Sequence, residues 1–189
     1  MSSGSGLNAI STATESLLKI RPERPQDSPG IFAVHAAAFS TSAFNVPAEA
    51  ELVDALRSQV QPLVSLVAES GEEIIGHILF SPVSLADESG LYLMGLAPMA
   101  VKPGLQRHGI GSQLVEAGLE ACNALQVDAI VVLGHTHYYS RFGFMPAVKF
   151  GLSCEYDVPD ELFMAKELRP GALESAQGVI RYHEAFSAI

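Results

Sequence analysis

A short glycine-containing segment of this chain has the composition of an anion-binding turn. Its residues are Gln106, Arg107, His108, Gly109, Ile110, Gly111 and Ser112. An apolar run at residues 91–101 predicts a buried strand before it, and apolar residues recur at helical spacing from Ile110 onward. The first amides of a helix have no intrahelical partner and carry partial positive charge from the helix dipole. The segment therefore predicts a phosphate-binding site made of main-chain amides.

The two glycines of this segment allow two interpretations. Gly109 and Gly111 would let a diphosphate approach the backbone closely, with Arg107 and His108 adding positive charge beside it. A tight connection between a strand and a helix would use the same glycines. Neither Gly-x-x-x-x-Gly-Lys-Ser/Thr nor Gly-x-Gly-x-x-Gly follows a strand here, so ATP and NAD are poor candidates.

Two blocks of the sequence resemble motifs of the GCN5-related N-acetyltransferases (GNAT). Gln106, Gly109 and Gly111 match the Arg/Gln-x-x-Gly-x-Gly/Ala loop, and residues 138–144 resemble the Tyr-x-x-x-Gly-Phe element. The resemblance extends over residues 17–186 and is strongest to small bacterial acetyltransferases labelled YhbS-like. It implies acetyl-coenzyme A as co-substrate, with its diphosphate on the loop amides and its pantetheine arm along a strand end.

The same resemblance implies a set of site residues. The expected cofactor-binding residues are Met99, Ala100, Val101, Gln106, Arg107, His108, Gly109, Ile110, Gly111 and Ser112. Tyr139 matches the position from which a phenol faces the coenzyme sulfur, and a phenol with a pKa of about 10 suits protonation of a leaving thiolate. Tyr139 as an amphipathic core residue is the alternative, and Tyr138 is the weaker candidate donor.

The sequence does not show which residue acts as the general base that deprotonates the attacking amine, and it does not identify the acceptor. Candidate bases are Glu49, Glu51, Asp54, His35, His77, His135 and His137. By resemblance, the acceptor would be chosen by residues 31–39, 47–57 and 144–158, where Glu49 and Glu51 could attract a cation. We predict an N-acetyltransferase in which the amine attacks directly within a ternary complex. A catalytically silent acyl-coenzyme A sensor is the alternative, and transfer to a hydroxyl or of a longer acyl chain would use the same loop.

Composition agrees with one enzyme domain at residues 15–189 behind a flexible tail at residues 1–14. The 189 residues are 48% hydrophobic, which is enough for a sizeable core. A net charge of -10, from 11 basic and 21 acidic residues, argues against nucleic-acid binding and either favours cationic substrates or serves solubility. The tail lacks a secretory signal and no run of about 18 apolar residues occurs, so we expect a soluble cytoplasmic protein without membrane partners. A homodimer is possible.

The cysteines and histidines do not form a recognisable disulfide or metal pattern. Cys122 lies on the apolar face of the predicted helix, which predicts a small buried side chain. Two cysteines, Cys122 and Cys154, in a chain with a large predicted core give no reason to expect a disulfide. His135 and His137 lack further ligands at zinc spacing, so we expect no metal.

Hydrophobic periodicity predicts alternating strands and helices around this segment. We expect strands at residues 17–21, 63–69, 73–83, 91–101, 128–134, 161–168 and 178–182, and helices at residues 27–39, 47–58 and from 110 onward. Asp27 and Ser28 could cap the first helix, Pro47 suits the first turn of the second, Ser70-Gly71 is typical of a hairpin, and residues 87–90 predict a turn.

The predicted fold is α/β (α+β), a GNAT-like mixed, mainly antiparallel twisted sheet flanked by helices. Residues 91–134 form a strand, helix and strand crossover, which places its two strands parallel with the helix N-terminus at their carboxyl ends. The resemblance implies that this pair splays apart at the cofactor site. Pro98 cannot donate a ladder hydrogen bond, so it predicts an interruption where a ligand could replace a strand.

Overall fold

The computed structural model describes residues 18–40, 48–86 and 90–188. The tail predicted at residues 1–14, Pro47 and most of the turn predicted at residues 87–90 lie outside these ranges. Nine strands and four α-helices occur within them. The strands are β1 (Leu18–Pro22), β2 (Val64–Ser70), β3 (Glu73–Leu85), β4 (Leu93–Val101), β5 (Ala129–Leu133), β6 (Met145–Pro146), β7 (Leu152–Cys154), β8 (Phe163–Glu167) and β9 (Gly178–Arg181). The helices are α1 (Ser28–Phe39), α2 (Ala48–Gln59), α3 (Ile110–Ala124) and α4 (Thr136–Tyr139).

The main sheet has the strand order β1-β2-β3-β4-β5-β8-β6. Its neighbouring strands are antiparallel except for the β4–β5 pair, which is parallel. A side ladder joins β9 to β3 and β7 to β9. The predicted mixed, mainly antiparallel sheet with one parallel pair beside the glycine-containing segment is confirmed.

Main-chain pairing along β4 is interrupted on both sides. The parallel ladder joins Leu93–Gly95 of β4 to Ala129–Val131 of β5 and extends no further along β4 than Gly95. On the other side, Ile78 pairs with Met99 and Phe80 with Leu96, so two residues of β4 stand opposite one residue of β3. This bulge contains Pro98, which confirms the interruption predicted there.

The sheet lies between two helical layers because alternate side chains of its strands face opposite sides. Ile78 and Phe80 of β3 face α3 and pack with Leu114 in one core cluster. Leu79 faces the other way and packs with Ile31 of α1 and Leu56 of α2. A third cluster, around Ile180 of β9, fills the space beneath the carboxyl-terminal strands.

Several local predictions differ from the structure. Residues 91 and 92 precede β4, because the Tyr92 amide donates to a carboxylate oxygen of Asp128 (2.8 Å) instead of extending the strand. The extended segment expected from residue 161 begins with a 3-10 turn at Asp160–Leu162. Asp27 precedes α1 but its side chain does not cap that helix, because its carboxylate accepts hydrogen bonds from the Arg21 side chain and the Arg24 amide. The short elements β6, β7 and α4 were not predicted.

A buried chain of polar side chains ties α1 to the sheet. His35 Nε2 lies 2.8 Å from His77 Nδ1, and His77 Nε2 lies 2.8 Å from Ser65 Oγ. Ser65 donates to Glu23, whose carboxylate also accepts from Arg57 (2.5 Å). An ionised carboxylate only accepts, so Glu23 sets the direction of the chain, with each histidine donating from Nε2. The Nδ1 of His35, buried and without a partner among the described residues, is then an unprotonated nitrogen.

This arrangement keeps both histidines neutral. Burial, followed by the nearby His77, lowers the pKa of His35 to about 3. Burial also lowers the pKa of His77, although the Glu23 carboxylate, 3.6 Å from its Nε2, opposes that change. Burial alone would raise the pKa of Glu23, but the nearby His77 and hydrogen bonds from Arg57 and Ser65 outweigh it and lower that pKa to about 2.

We predict that the free energy of unfolding falls between pH 6.5 and 5, because the unfolded histidines take up protons that the folded ones do not. Each such histidine contributes a slope of up to about 1.4 kcal/mol per pH unit. His35→Gln removes one of these histidines. The free energy of unfolding of the variant should therefore change less steeply with pH, by up to this amount. Urea denaturation at a series of pH values measures it.

Above pH 8 neither state binds these protons, so the difference in stability between His35→Gln and the parent should not depend on pH there. The window from pH 6.5 to 5 also lies mostly above the titration of unfolded carboxylates. Equal slopes for the two proteins between pH 6.5 and 5 would contradict the assignment of His35 as a buried neutral side chain.

Candidate functional site

The open edge of β4 and the start of α3 form a first cavity of about 730 Å³. Its lining residues come from the ends of α1 and β4, the loop before α3, the first turn of α3 and the segment around α4. They are Ala38, Phe39, Met99, Ala100, Val101, Gln106, Arg107, Gly109, Gly111, Ser112, His137, Tyr138 and Arg141. Most of the residues predicted to bind a cofactor therefore share one cavity.

The loop before α3 presents main-chain amides to this cavity. Gly109 precedes the helix with φ at 84°, a left-handed conformation that favours glycine. The Gln113 amide donates to Gly109 O (3.1 Å) as the first hydrogen bond of the helix, so the amides of residues 110–112 lie before it. The side chain of Gln106 donates to Val101 O (3.1 Å) and fastens the loop to the end of β4.

Gly111 leaves room for a neighbouring tyrosine. A Cβ at Gly111 would lie 2.7 Å from the hydroxyl oxygen of Tyr138, which excludes a larger side chain without movement. The guanidinium of Arg141 stacks 4.6 Å from the centre of the Tyr138 ring, and one of its nitrogens lies 3.4 Å from Ser112 Oγ. Arg141 and Arg107 thus place positive charge beside the free helix amides, as an anion site requires.

A second cavity of about 450 Å³ adjoins the first. Phe39 and Met99 line both cavities. The other lining residues of the second are Glu49, Leu96, Ala97, Pro98, Leu133, Tyr139, Tyr156, Tyr182 and Phe186. The two cavities thus meet where β4 is interrupted.

Tyr139 is held firmly in the wall of the second cavity. It is only 8% exposed, and its ring makes an edge-to-face contact with Phe144 (5.7 Å between centres). A Cβ at Gly134, the residue that follows β5, would collide with the Tyr139 ring, so glycine at this position leaves space for it. Burial raises the pKa of Tyr139, with a smaller effect from Tyr138, so the phenol keeps its proton at neutral pH.

Two of the predicted cofactor-binding residues have side chains elsewhere. His108 is exposed and its Nδ1 donates to Gln106 O (2.8 Å), which stabilises the turn itself. The side chain of Ile110 is buried in the core cluster beneath α3, because the helical periodicity that starts at this residue points it toward the sheet. For Ile110, only the main-chain amide remains available to the cavity.

The candidate bases are widely separated. Glu49 lines the second cavity, whereas His35 and His77 are fully buried in the polar chain described above. His137 lines the first cavity and Asp54 pairs with Arg57. Glu51 and His135 are exposed and line neither cavity. Of these seven residues, Glu49 alone shares a cavity with Tyr139.

Sequence reasoning did not single out the aromatic side chains of the second cavity or Arg141 as site residues, although Phe39 and Tyr156 lie within the segments 31–39 and 144–158 that were expected to choose the acceptor. Phe39, Tyr156, Tyr182 and Phe186 come from distant parts of the chain, and the sequence gives no pattern that would join them. Arg141 lies within the second motif block, where a cation three residues after Tyr138 was the available signal.

Other features of the described residues are simple. Cys122 is fully buried as predicted, and burial raises its pKa to about 12, so it is not a reactive thiolate. Cys122 and Cys154 are not joined by a disulfide. Across residues 18–40, 48–86 and 90–188, no cluster of three or more potential metal ligands occurs, and no helix is both long and apolar enough to cross a membrane.

Comparison with known proteins identifies the family. A family model described as an acetyltransferase (GNAT) domain matches residues 62–146. The uncharacterized N-acetyltransferase YhbS of Escherichia coli K12 is 37% identical over 169 residues, which cover 89% of this chain and 98% of that protein. The chain belongs to the GNAT acetyltransferase family. The resemblance seen in its two motif blocks is therefore confirmed.

Solved structures support the fold of this GNAT protein. E. coli YhbS in complex with CoA has a TM-score of 0.82 at 36% identity, covering 90% of this chain and 92% of that one. A GNAT family acetyltransferase from Brucella melitensis, in complex with acetyl-CoA, has a TM-score of 0.73 at 36% identity, covering 90% of this chain and 99% of that one. These structures have the fold predicted for this GNAT chain.

We predict that Gly134→Ala destabilises this GNAT protein by about 1–3 kcal/mol, because the new methyl group collides with the buried Tyr139 ring. In a Tyr139→Leu background the colliding ring atom is absent, so the same substitution should cost less. Urea denaturation of the two single variants and the double variant measures the coupling. An equal cost of Gly134→Ala in both backgrounds would show that the Tyr139 ring is not the constraint at this position.

Proposed function

We propose that this protein transfers an acetyl group from acetyl-CoA to a primary amine, by direct attack within a ternary complex. The observation that carries the proposal is the meeting of two cavities at the interruption of β4. One has unpaired helix amides beside arginines, and the other contains a protonated phenol and a carboxylate. That CoA and acetyl-CoA are present in structures of two relatives supports the choice of co-substrate.

The first cavity suits the diphosphate and pantetheine parts of acetyl-CoA. The amides of Ile110, Gly111 and Ser112 would donate to the diphosphate, and Arg107 and Arg141 would offset its charge. Beyond Gly95, the edge of β4 that faces β5 is not paired with that strand. The main chain of β4 at residues 99–101 could pair with the pantetheine amides there instead. The thioester would then lie near Met99, where the cavities meet.

The second cavity supplies the groups that acyl transfer needs. Glu49 would take a proton from the incoming ammonium, leaving a neutral amine. A main-chain amide near Met99 would stabilise negative charge on the thioester oxygen as the nitrogen–carbon bond forms. When the carbon–sulfur bond breaks, Tyr139 would give its proton to the thiolate and recover one from solvent or from the attacking nitrogen, which loses a proton as the amide forms.

We predict that Gly111→Val raises the Kd for CoA at least tenfold, about 1.4 kcal/mol, because the side chain displaces Tyr138 and covers the helix amides. Gln113→Val is the matched control, since it carries the same β-branched residue two positions further along α3 but does not line the cavity. Isothermal titration calorimetry measures both. Equal affinities for the two variants would contradict the proposed cradle.

We predict that Tyr139→Phe lowers kcat for thiol release by about 10²-fold or more, the usual contribution of a general acid, with the Kd for CoA unchanged. Tyr138→Phe should instead change mainly the KM for acetyl-CoA, because that phenol lies in the first cavity. Steady-state assays with a panel of amines measure both variants. If CoA binds but no amine releases thiol, the protein is a silent acyl-CoA sensor and the transferase proposal fails.

A further inference from the structure

We propose that the acceptor is a small primary amine that carries a compact apolar group, preferably an aromatic ring, and no carboxylate. The inference deepens the proposed transferase function and rests on it. It comes from the composition of the second cavity, where a wall of three aromatic rings accompanies a single carboxylate. We call Tyr156, Tyr182 and Phe186 the aromatic wall.

The aromatic wall is continuous and fixed in place. The ring centres of Tyr156 and Tyr182 are 5.9 Å apart, and those of Tyr182 and Phe186 are 5.1 Å apart. Tyr182 packs on β4, because a Cβ at Gly95 would lie 2.8 Å from its ring. Phe186 is buried in the cluster beneath α1 and α2. Such a preformed surface binds flat apolar groups and the faces of cations at little entropic cost.

The residues that β4 and the end of β5 contribute to this cavity are also apolar. Leu96, Ala97 and Pro98 come from the bulged part of β4, and Leu133 comes from the end of β5. A volume of about 450 Å³ is within the range of sites for small metabolites. The part of the acceptor that does not react is therefore expected to be apolar and compact.

The charges of the cavity restrict the acceptor further. Glu49, from the first turn of α2, is the one charged side chain among the described residues that line it. None of the described lining residues is Lys, Arg or His, so the carboxylate of an amino acid would lose its hydration without gaining a cationic partner and would lie in the same cavity as the negative charge of Glu49. A polyamine would pair one of its several charges with Glu49 and leave the others against apolar side chains. An acceptor with a single ammonium group would pair its one charge with Glu49 and place no other charge against the apolar side chains.

A matched set of acceptors tests the proposal through thiol release with acetyl-CoA. The set is 2-phenylethylamine, phenylalanine, propylamine, spermidine and a blocked lysine peptide. We expect kcat/KM for 2-phenylethylamine to exceed that for propylamine by roughly tenfold or more, and those for phenylalanine and spermidine by roughly 10²-fold or more. A higher kcat/KM for phenylalanine, spermidine or the lysine peptide than for 2-phenylethylamine would overturn the proposal.

Two variants test the residues that carry the inference. Glu49→Gln should lower kcat/KM for 2-phenylethylamine by roughly tenfold or more with the KM for acetyl-CoA unchanged, whereas Glu51→Gln, exposed in the same turn of α2, should change neither. Tyr156→Ala should reduce the preference for 2-phenylethylamine over propylamine, since it removes one ring of the aromatic wall. Unchanged kinetics in both Glu49→Gln and Tyr156→Ala would overturn the assignment.

Direct binding separates this inference from the proposed activity. Calorimetric titration of 2-phenylethylamine into the CoA-bound protein should show binding that Tyr156→Ala weakens and that phenylalanine does not reproduce. Binding with this pattern but without thiol release from any amine would support the assigned ligand class while the transferase proposal fails. Thiol release with other amines, together with no detectable binding of 2-phenylethylamine, would support the transferase and overturn the ligand class.

Discussion

The candidate site of this protein depends on main-chain groups of β4 that the sheet leaves unpaired. β5 stays in register with β4 for three residues and then separates, while the bulge at Ala97 and Pro98 breaks pairing with β3. Buried peptide groups strongly favour hydrogen bonding, so an unpaired strand edge inside a fold is a ready place for an extended ligand. Both cavities open from this interruption, one toward α3 and the other toward β9 and the carboxyl-terminal turn. Without the early end of the β4–β5 ladder, neither would exist.

The two adjacent tyrosines of α4 serve the two cavities separately. Successive side chains of a helical turn point in directions about 100° apart, so Tyr138 and Tyr139 diverge although they are neighbours in sequence. Tyr138 lies against Gly111 and Arg141 at the start of α3, while Tyr139 packs against Gly134 and Phe144. One short helix therefore couples the end of β5 to the first turn of α3.

The parts of this arrangement that could be predicted from the sequence are local and periodic. The strand, helix and strand crossover at residues 91–134 follows from hydrophobic spacing, and the glycines mark the start of α3 because few other residues adopt the backbone found at Gly109. The short strands β6 and β7 carry too few residues to show alternation. For the second cavity, the expected acceptor segments contain Phe39 and Tyr156, but Tyr182 and Phe186 lie outside them and join the cavity only through tertiary packing. Ile110 follows from the same helical periodicity, since a residue at a helix start can offer its amide to a ligand while its side chain belongs to the core.

The negative charge of the chain is compatible with the proposed anion site at the start of α3, because charges act locally. At physiological ionic strength interactions between exposed charges are largely screened beyond about 8 Å, so a net charge of -10 does not determine the potential at the start of α3. Several carboxylates are already paired with arginines on the opposite side of the sheet from α3, as Glu23 is with Arg57 and Asp27 with Arg21. Arg107 and Arg141 are instead placed beside amides that precede the first hydrogen bond of α3. Glu49 lies apart from these arginines in the second cavity, so the proposed diphosphate and the proposed cationic amine would approach the interruption of β4 from different sides.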